Sequence, residues 1–148
     1  QERDIADPRL RADFSALNAL ERGAVPVAAL LKWLGVVRGL LDDPIVVDRL
    51  GEARALCEAA RVLTYKVIDL RAKGSPPTAD TQLARVLGTR ADNAIGVLAL
   101  EIIGPEALEY GSFADSNFRL AMTAGVAVGA TEVQLNLIAS RFLGLPRE

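Results

Sequence analysis

The chain has 148 residues, enough for one ordinary hydrophobic core at a size where folding buries roughly 70% of the unfolded surface. Its net charge of −2, from 17 basic and 19 acidic residues mixed along the chain, leaves no electrostatic footprint for nucleic acid or an anionic membrane, and the absence of histidine removes Ser-His and Cys-His nucleophiles and His-ligated metals. Hydrophobic residues reach 51% and aromatics only 5%, so the composition favours helices and predicts that part of the apolar surface is covered by another domain or subunit in an oligomer.

The chain opens at Gln1 without an initiator Met and with nothing like a signal peptide, which predicts a fragment or processed product of a longer chain. Phe14, Leu17, Val27, Leu31 and Leu34 then fall on one stripe at helical spacing. This predicts a first helix ending near Leu41 and kinked at Pro26. Asp43-Pro44 is a good N-cap with proline at the first helical position, opening a second helix of about eight turns that stops at Gly74. Leu50, Leu56, Leu63, Val67 and Leu70 are expected to face inward along it. Cys57 is the single cysteine, so no disulfide can form within the chain, and its helical setting predicts a quiet buried thiol in a reducing cytoplasm.

After the linker Ser75-Pro76-Pro77, Thr78 or Asp80 can cap a third helix carrying Leu83, Val86, Leu87, Ile95, Leu98 and Ile102 to a stop at Gly104-Pro105. Residues 106–116 read as a connection, followed by a short helix from about Asn117 to Ala127. Past Gly129, Thr131 and Gln134 form the pattern of a capping box for a last helix ending at Gly144 and Pro146. Three long helices and a broken fourth predict an all-α, up-down four-helix bundle, one domain over 1–148. No apolar run approaches the ~18 residues needed to span a bilayer.

Periodicity ends there, but the run Gly129-Ala130-Thr131-Glu132-Val133-Gln134-Leu135-Asn136-Leu137-Ile138-Ala139-Ser140-Arg141-Phe142-Leu143-Gly144-Leu145-Pro146-Arg147 carries more. It resembles the closing segment of acyl-CoA dehydrogenases, commonly Gly-Gly-Thr-Ser-Glu-Ile-Gln-Arg-Asn-Ile-Ile-Ala-Glu-Arg-Val-Leu-Gly-Leu-Pro-Arg. Leu100 to Glu106 is similar to that family's Leu-Gly-Pro-Glu segment, and Leu20-Glu21-Arg22 to the Glu-Arg pair that begins its C-terminal helical domain. The resemblance covers about residues 16 to 148. It implies the helical bundle of a longer FAD-dependent enzyme that removes the α-hydrogen of an acyl-CoA as a proton, while the β-hydrogen leaves as hydride to a flavin shared with a neighbouring subunit. The carboxylate base would need an ionisation tuned toward the operating pH.

Family members place that glutamate at one of two positions, and here the commoner one is Val128. The other is Glu21, with Arg22 beside it able to influence its ionisation and to meet the acyl-CoA. An ordinary charged helix patch is the competing reading of the pair. Arg38 stands where the family has an arginine reaching the flavin pyrophosphate, a role that suits a guanidinium. Glu101 replaces a flavin-contacting Gln, Pro105 a Gly, Leu41 an aromatic residue and Ala130 a flavin-contacting Thr. Thr131 and Glu132 keep the segment's pattern, either as cofactor contacts or as a helix cap and a complement to the helix dipole. Such losses resemble heteromeric acyl-CoA dehydrogenases, in which two different subunits share the flavin sites and which include sterol-degrading enzymes. The implied partners are an acyl-CoA, fatty or sterol-derived, and either copies of the same subunit or a second, related one in a hetero-tetramer. A non-catalytic assembly module of the same ancestry is the second reading, and an unrelated four-helix binding protein the third.

Overall fold

The computed structural model describes residues 39–76, 78–127 and 130–146, apart from the side chains of residues 106, 113 and 127. Among these residues there is no strand, as the composition predicts. Four α-helices follow one another: α1 (Pro44–Ala72), α2 (Asp80–Ile103), α3 (Phe113–Ala127) and α4 (Thr131–Arg141). The expected first helix lies outside the described residues except at its end. There Gly39 adopts the left-handed conformation (φ 67°) and Leu40–Asp42 form a 3-10 turn, so the described end of that segment is not α-helical.

Helix α1 begins as the sequence predicts: the Ile45 N–H donates to Asp43 Oδ1 at 2.8 Å, and Pro44 occupies the first turn, where its missing N–H costs nothing. It ends at Gly74, whose left-handed backbone (φ 70°) lets Ser75 N–H close on Leu70 C=O. Its buried face, however, is Ala53, Cys57, Ala60, Thr64, Val67 and Ile68, and of the five residues expected inside only Val67 is fully buried. Leu50, Leu56, Leu63 and Leu70 are half-buried flanks. Small residues on this face let the α1 backbone approach α2 closely, where they meet Ala91, Ile95, Leu98, Ala99 and Ile102 in a single core.

Contacts at both ends fix the direction of the pair. Arg49, early in α1, pairs with Glu101, late in α2, while Lys66 reaches Asp80 at 3.1 Å and Arg71 reaches Thr81 at 3.0 Å at the opposite end. The helices are therefore antiparallel. Helix α2 is the centre of the fold, with α1, α3 and α4 each packed against it. Of its expected core residues, Val86, Ile95, Leu98 and Ile102 are buried and Leu87 half-buried, but Leu83 is exposed near the helix start. The N-cap of α2 is Ala79, without a side-chain cap, rather than Thr78 or Asp80; Thr78, one residue earlier, accepts from the Asp80 N–H at a long 3.4 Å. Gly96 of α2 faces Ala121 and Phe118 of α3, and Gly125 of α3 faces Thr89 of α2, so α3 also runs antiparallel to α2.

Three boundaries differ from the sequence expectation. The segment 106–116 is not a plain connection: Gly104–Leu108 form a 3-10 turn and α3 starts at Phe113, four residues before Asn117. The cause is a cap in Ser112-Phe113-Ala114-Asp115, where the Asp115 N–H donates to Ser112 Oγ at 3.1 Å and Asp115 Oδ2 accepts from the Gly111 N–H at 2.9 Å. The Thr131 and Gln134 box does not form. Ala130 occupies the N-cap position without a side-chain cap, Thr131 is already helical, and Gln134 is buried, its N–H closing instead on Ala130 C=O at 3.1 Å. Helix α4 also stops at Arg141, three residues before Gly144, where Leu143 and Leu145 N–H groups close on Ile138 and Ala139 C=O.

Candidate functional site

Of the residues singled out in the sequence, Glu21, Arg22 and Arg38 lie outside the described residues, as do Val128 and Gly129. Glu101, Thr131 and Glu132 are described, and the fold does not bring them together. Glu101 is exposed in the last turn of α2. Thr131 is half-buried at the first position of α4, with its Oγ1 3.7 Å from where a Cβ on Gly125 would stand, next to Thr89. Twelve residues of helix separate positions 89 and 101, about 18 Å along α2. The two ends of this bundle thus present different groups.

At the Glu101 end, an open groove of about 480 Å³ runs between α1 and α2. Arg49 and Glu52 of α1 line one side, and Asn93, Ala94, Val97 and Glu101 of α2 the other. The Arg49 guanidinium donates to the Glu101 carboxylate, and both side chains remain open to the groove, 48% and 42% exposed. The hydrogen bond and charge of Glu101, with Glu52 adding to them, raise the pKa of Arg49 above its already high value. Asn93 Oδ1 is buried in the same wall without a hydrogen bond. The wall therefore holds one cation, an unpartnered amide oxygen that can only accept, an apolar strip at Ala94 and Val97, and two carboxylates. With two carboxylates against one cation already paired to Glu101, the groove is net negative.

At the other end, Ala130 has no side-chain donor to offer. Glu132 is exposed in the first turn of α4, where a carboxylate complements the helix dipole.

Sequence reasoning missed two groups. Arg49 gives no local signal, because its partner is 52 positions away. Asp92 lies within the inward pattern of α2, and an acid at that place was the available sign. Burial pushes its carboxyl up to about 6, and its charge, after burial itself, contributes to holding the Cys57 thiol up at about 11. Cys57 is fully buried, in keeping with an inert thiol. Among the described residues no cluster of three or more Cys, Asp or Glu could hold a metal ion, and no helix is long and apolar enough to cross a membrane.

A family profile described as "Acyl-CoA dehydrogenase, C-terminal domain" matches residues 16–143. The acyl-CoA dehydrogenase FadE34 of Mycobacterium tuberculosis is 31% identical over 124 residues, covering 82% of this chain and 17% of the relative. The acyl-CoA dehydrogenase IpdE1 of Mycolicibacterium smegmatis is 27% identical over 114 residues, covering 74% of this chain and 28% of the relative. This chain thus spans less than a third of the length of these curated relatives. Among solved structures, the Tcur3481-Tcur3483 steroid ACAD superposes with a TM-score of 0.82 at 18% identity, over 97% of this chain and 39% of that one. Its G363A variant gives a TM-score of 0.77 at 20% identity, over 95% and 40%. At such identity the likeness bears on the fold.

Proposed function

This chain belongs to the acyl-CoA dehydrogenase C-terminal-domain family, and we propose that it is a single helical domain of an FAD-dependent subunit that dehydrogenates an acyl-CoA between its α and β carbons. The observation that carries this reading is the family match over 16–143, on an all-helical bundle centred on α2. The named relatives include a steroid enzyme of two gene products, which favours a sterol-derived over a simple fatty acyl group and a hetero-tetramer over identical copies. A cytoplasmic location goes with such an assembly.

When bound, FAD supplies the hydride acceptor for the β-hydrogen. The residues of this chain would do the rest. Glu21 would take the α-proton onto its carboxylate, since Val128 has no basic atom, and Arg22 would hold the acyl-CoA and steady the charge of Glu21. Arg38 would meet the flavin pyrophosphate, with Thr131 and Glu132 as further contacts; the net negative groove at Glu101 does not fit that diphosphate. The proton would leave with the base and the β-hydrogen would go as hydride to the bound FAD, leaving an enoyl-CoA.

The substitutions Val128, Glu101 and Ala130 favour a second reading, an assembly module that retains the fold without the chemistry. The complete assembly carrying this chain separates the two. If the reading holds, it purifies with stoichiometric FAD that acyl-CoA bleaches; a colourless assembly that takes up no FAD would leave the assembly module.

A further inference from the structure

We propose that the open face of α2 docks antiparallel against the same face of a second copy of this chain, Arg90 of each copy entering the acidic groove of the other beside Glu101. The inference does not need the flavin reading, so its failure leaves the proposed function standing. Arg90, Ala94, Val97 and Glu101 follow one another at spacings of four, three and four, which places them on one stripe along α2. The bundle leaves that stripe open: Arg90, Val97 and Glu101 are exposed, Val97 by 44%, and Ala94 is half-buried. Arg90 pairs with no acid among the described residues, while Glu101 and Glu52 outnumber Arg49, the one cation of the groove.

The order of the charges decides the orientation. The cation stands at the start of the stripe and the acid at its end, about 16 Å apart along the helix. Two parallel copies would set Arg90 against Arg90 and Glu101 against Glu101. Reversed about a two-fold axis between Ile95 and Gly96, each Arg90 meets the other copy's Glu101 and each Ala94 the other copy's Val97. The small Ala94 opposite a valine lets the two helices approach closely. A carboxylate accepts more than one donor, so Glu101 keeps Arg49 while it takes the second copy's Arg90. Such exposed pairs add little affinity but fix orientation and register. One helix pair falls short of the roughly 1,200 Å² that a free-standing interface buries, so the contact belongs inside a larger assembly. A hetero-tetramer with two copies of each subunit supplies the second copy.

The test is cross-linking in the complete assembly, made with two differently tagged copies of this chain, one carrying Ala94→Cys and the other Val97→Cys. Cys57 is fully buried and does not compete. Mild oxidation is expected to join the two tags by a disulfide between positions 94 and 97. Arg90→Glu in both copies should lower the yield about 3- to 10-fold, because like charges then face each other twice. Arg90→Glu in one copy with Glu101→Arg in the other should restore it, since both pairs are again opposite in sign. Thermal unfolding checks the fold of each variant. Maleimide labelling of Val97→Cys alone, at an exposed position, should be slow in the assembly and faster when Arg90→Glu is added. Rapid labelling would show a bare face, and slow labelling without a disulfide would show another occupant, such as a basic segment of a different subunit; either overturns the inference. So does a yield indifferent to the charge changes. Should Ala94→Cys fail to fold, labelling of Val97→Cys that Arg90→Glu does not speed up overturns it alone.

Discussion

Gly96 of α2 lies so close to Ala121 of α3 that a Cβ placed on it would stand 2.9 Å from the Ala121 Cβ and 3.5 Å from the Phe118 backbone. Neither neighbour is the end of a flexible side chain, so α2 and α3 would have to move apart. Gly96→Ala gains about 1 kcal/mol of helix propensity and loses roughly 1–3 to overpacking, so it should destabilise the bundle by roughly 1 kcal/mol. Gly51, exposed within α1, has nothing within 4 Å. The same change there should stabilise by about 0.5–1 kcal/mol. Urea denaturation of both variants checks the pair: equal signs would show that the α2–α3 approach is looser than described.

Leu98, 3% exposed in the core shared by α1 and α2, should cost about 2–5 kcal/mol when cut to Ala. Leu63, on the half-buried flank of α1, should cost roughly half as much, because less of its surface leaves water on folding. Denaturation midpoints of the two variants rank them, and a larger loss for Leu63→Ala would restore the leucine stripe as the core face.

Asp92 gives the stability a pH dependence of unusual sign. Its carboxyl is held up at about 6 by burial, so between about pH 4 and pH 6 the folded chain retains a proton that the unfolded chain has released. Its contribution therefore falls as pH rises through that window. Asp80 and Asp115 act oppositely: Thr78 holds the first carboxyl down and the Gly111 N–H the second, and both contributions are lost only as acid protonates them below the ordinary range. Asp92→Asn should remove the fall and stabilise the protein at pH 7 by on the order of 1–2 kcal/mol, allowing for partial exposure of the site. Thermal unfolding at pH 4.5 and pH 7 reads this out, and parallel curves for wild type and Asp92→Asn would show that Asp92 is charged at both.

The helices were legible because Asp43-Pro44, Gly74 and Gly104 act locally, through a cap, a fixed φ and a left-handed turn. Which face turns inward was less so. A stripe of leucines outweighs alanines in any hydropathy pattern, yet Ala53, Cys57 and Ala60 permit the closer approach to α2 and take the core face of α1. The start of α3 was written in Ser112 and Asp115 and went unread, while Thr131 and Gln134 matched a cap that the buried Gln134 does not make. For the site, residue types at family positions could be read, but the pairing of Glu101 with Arg49 exists only once α1 and α2 lie antiparallel.

The central claim, that this chain belongs to a working dehydrogenase and supplies its base, turns on Glu21, the one carboxylate at a family base position now that position 128 is Val. Glu21→Gln is nearly isosteric and cannot accept the proton, so the complete assembly should keep its fold, its FAD and its acyl-CoA binding. Stopped-flow reduction of the flavin by acyl-CoA, at equal flavin content, should slow by on the order of 100- to 10,000-fold relative to wild type. An unchanged reduction rate in an active assembly would contradict the account, placing the base on a partner subunit and leaving Glu21-Arg22 a charged helix patch.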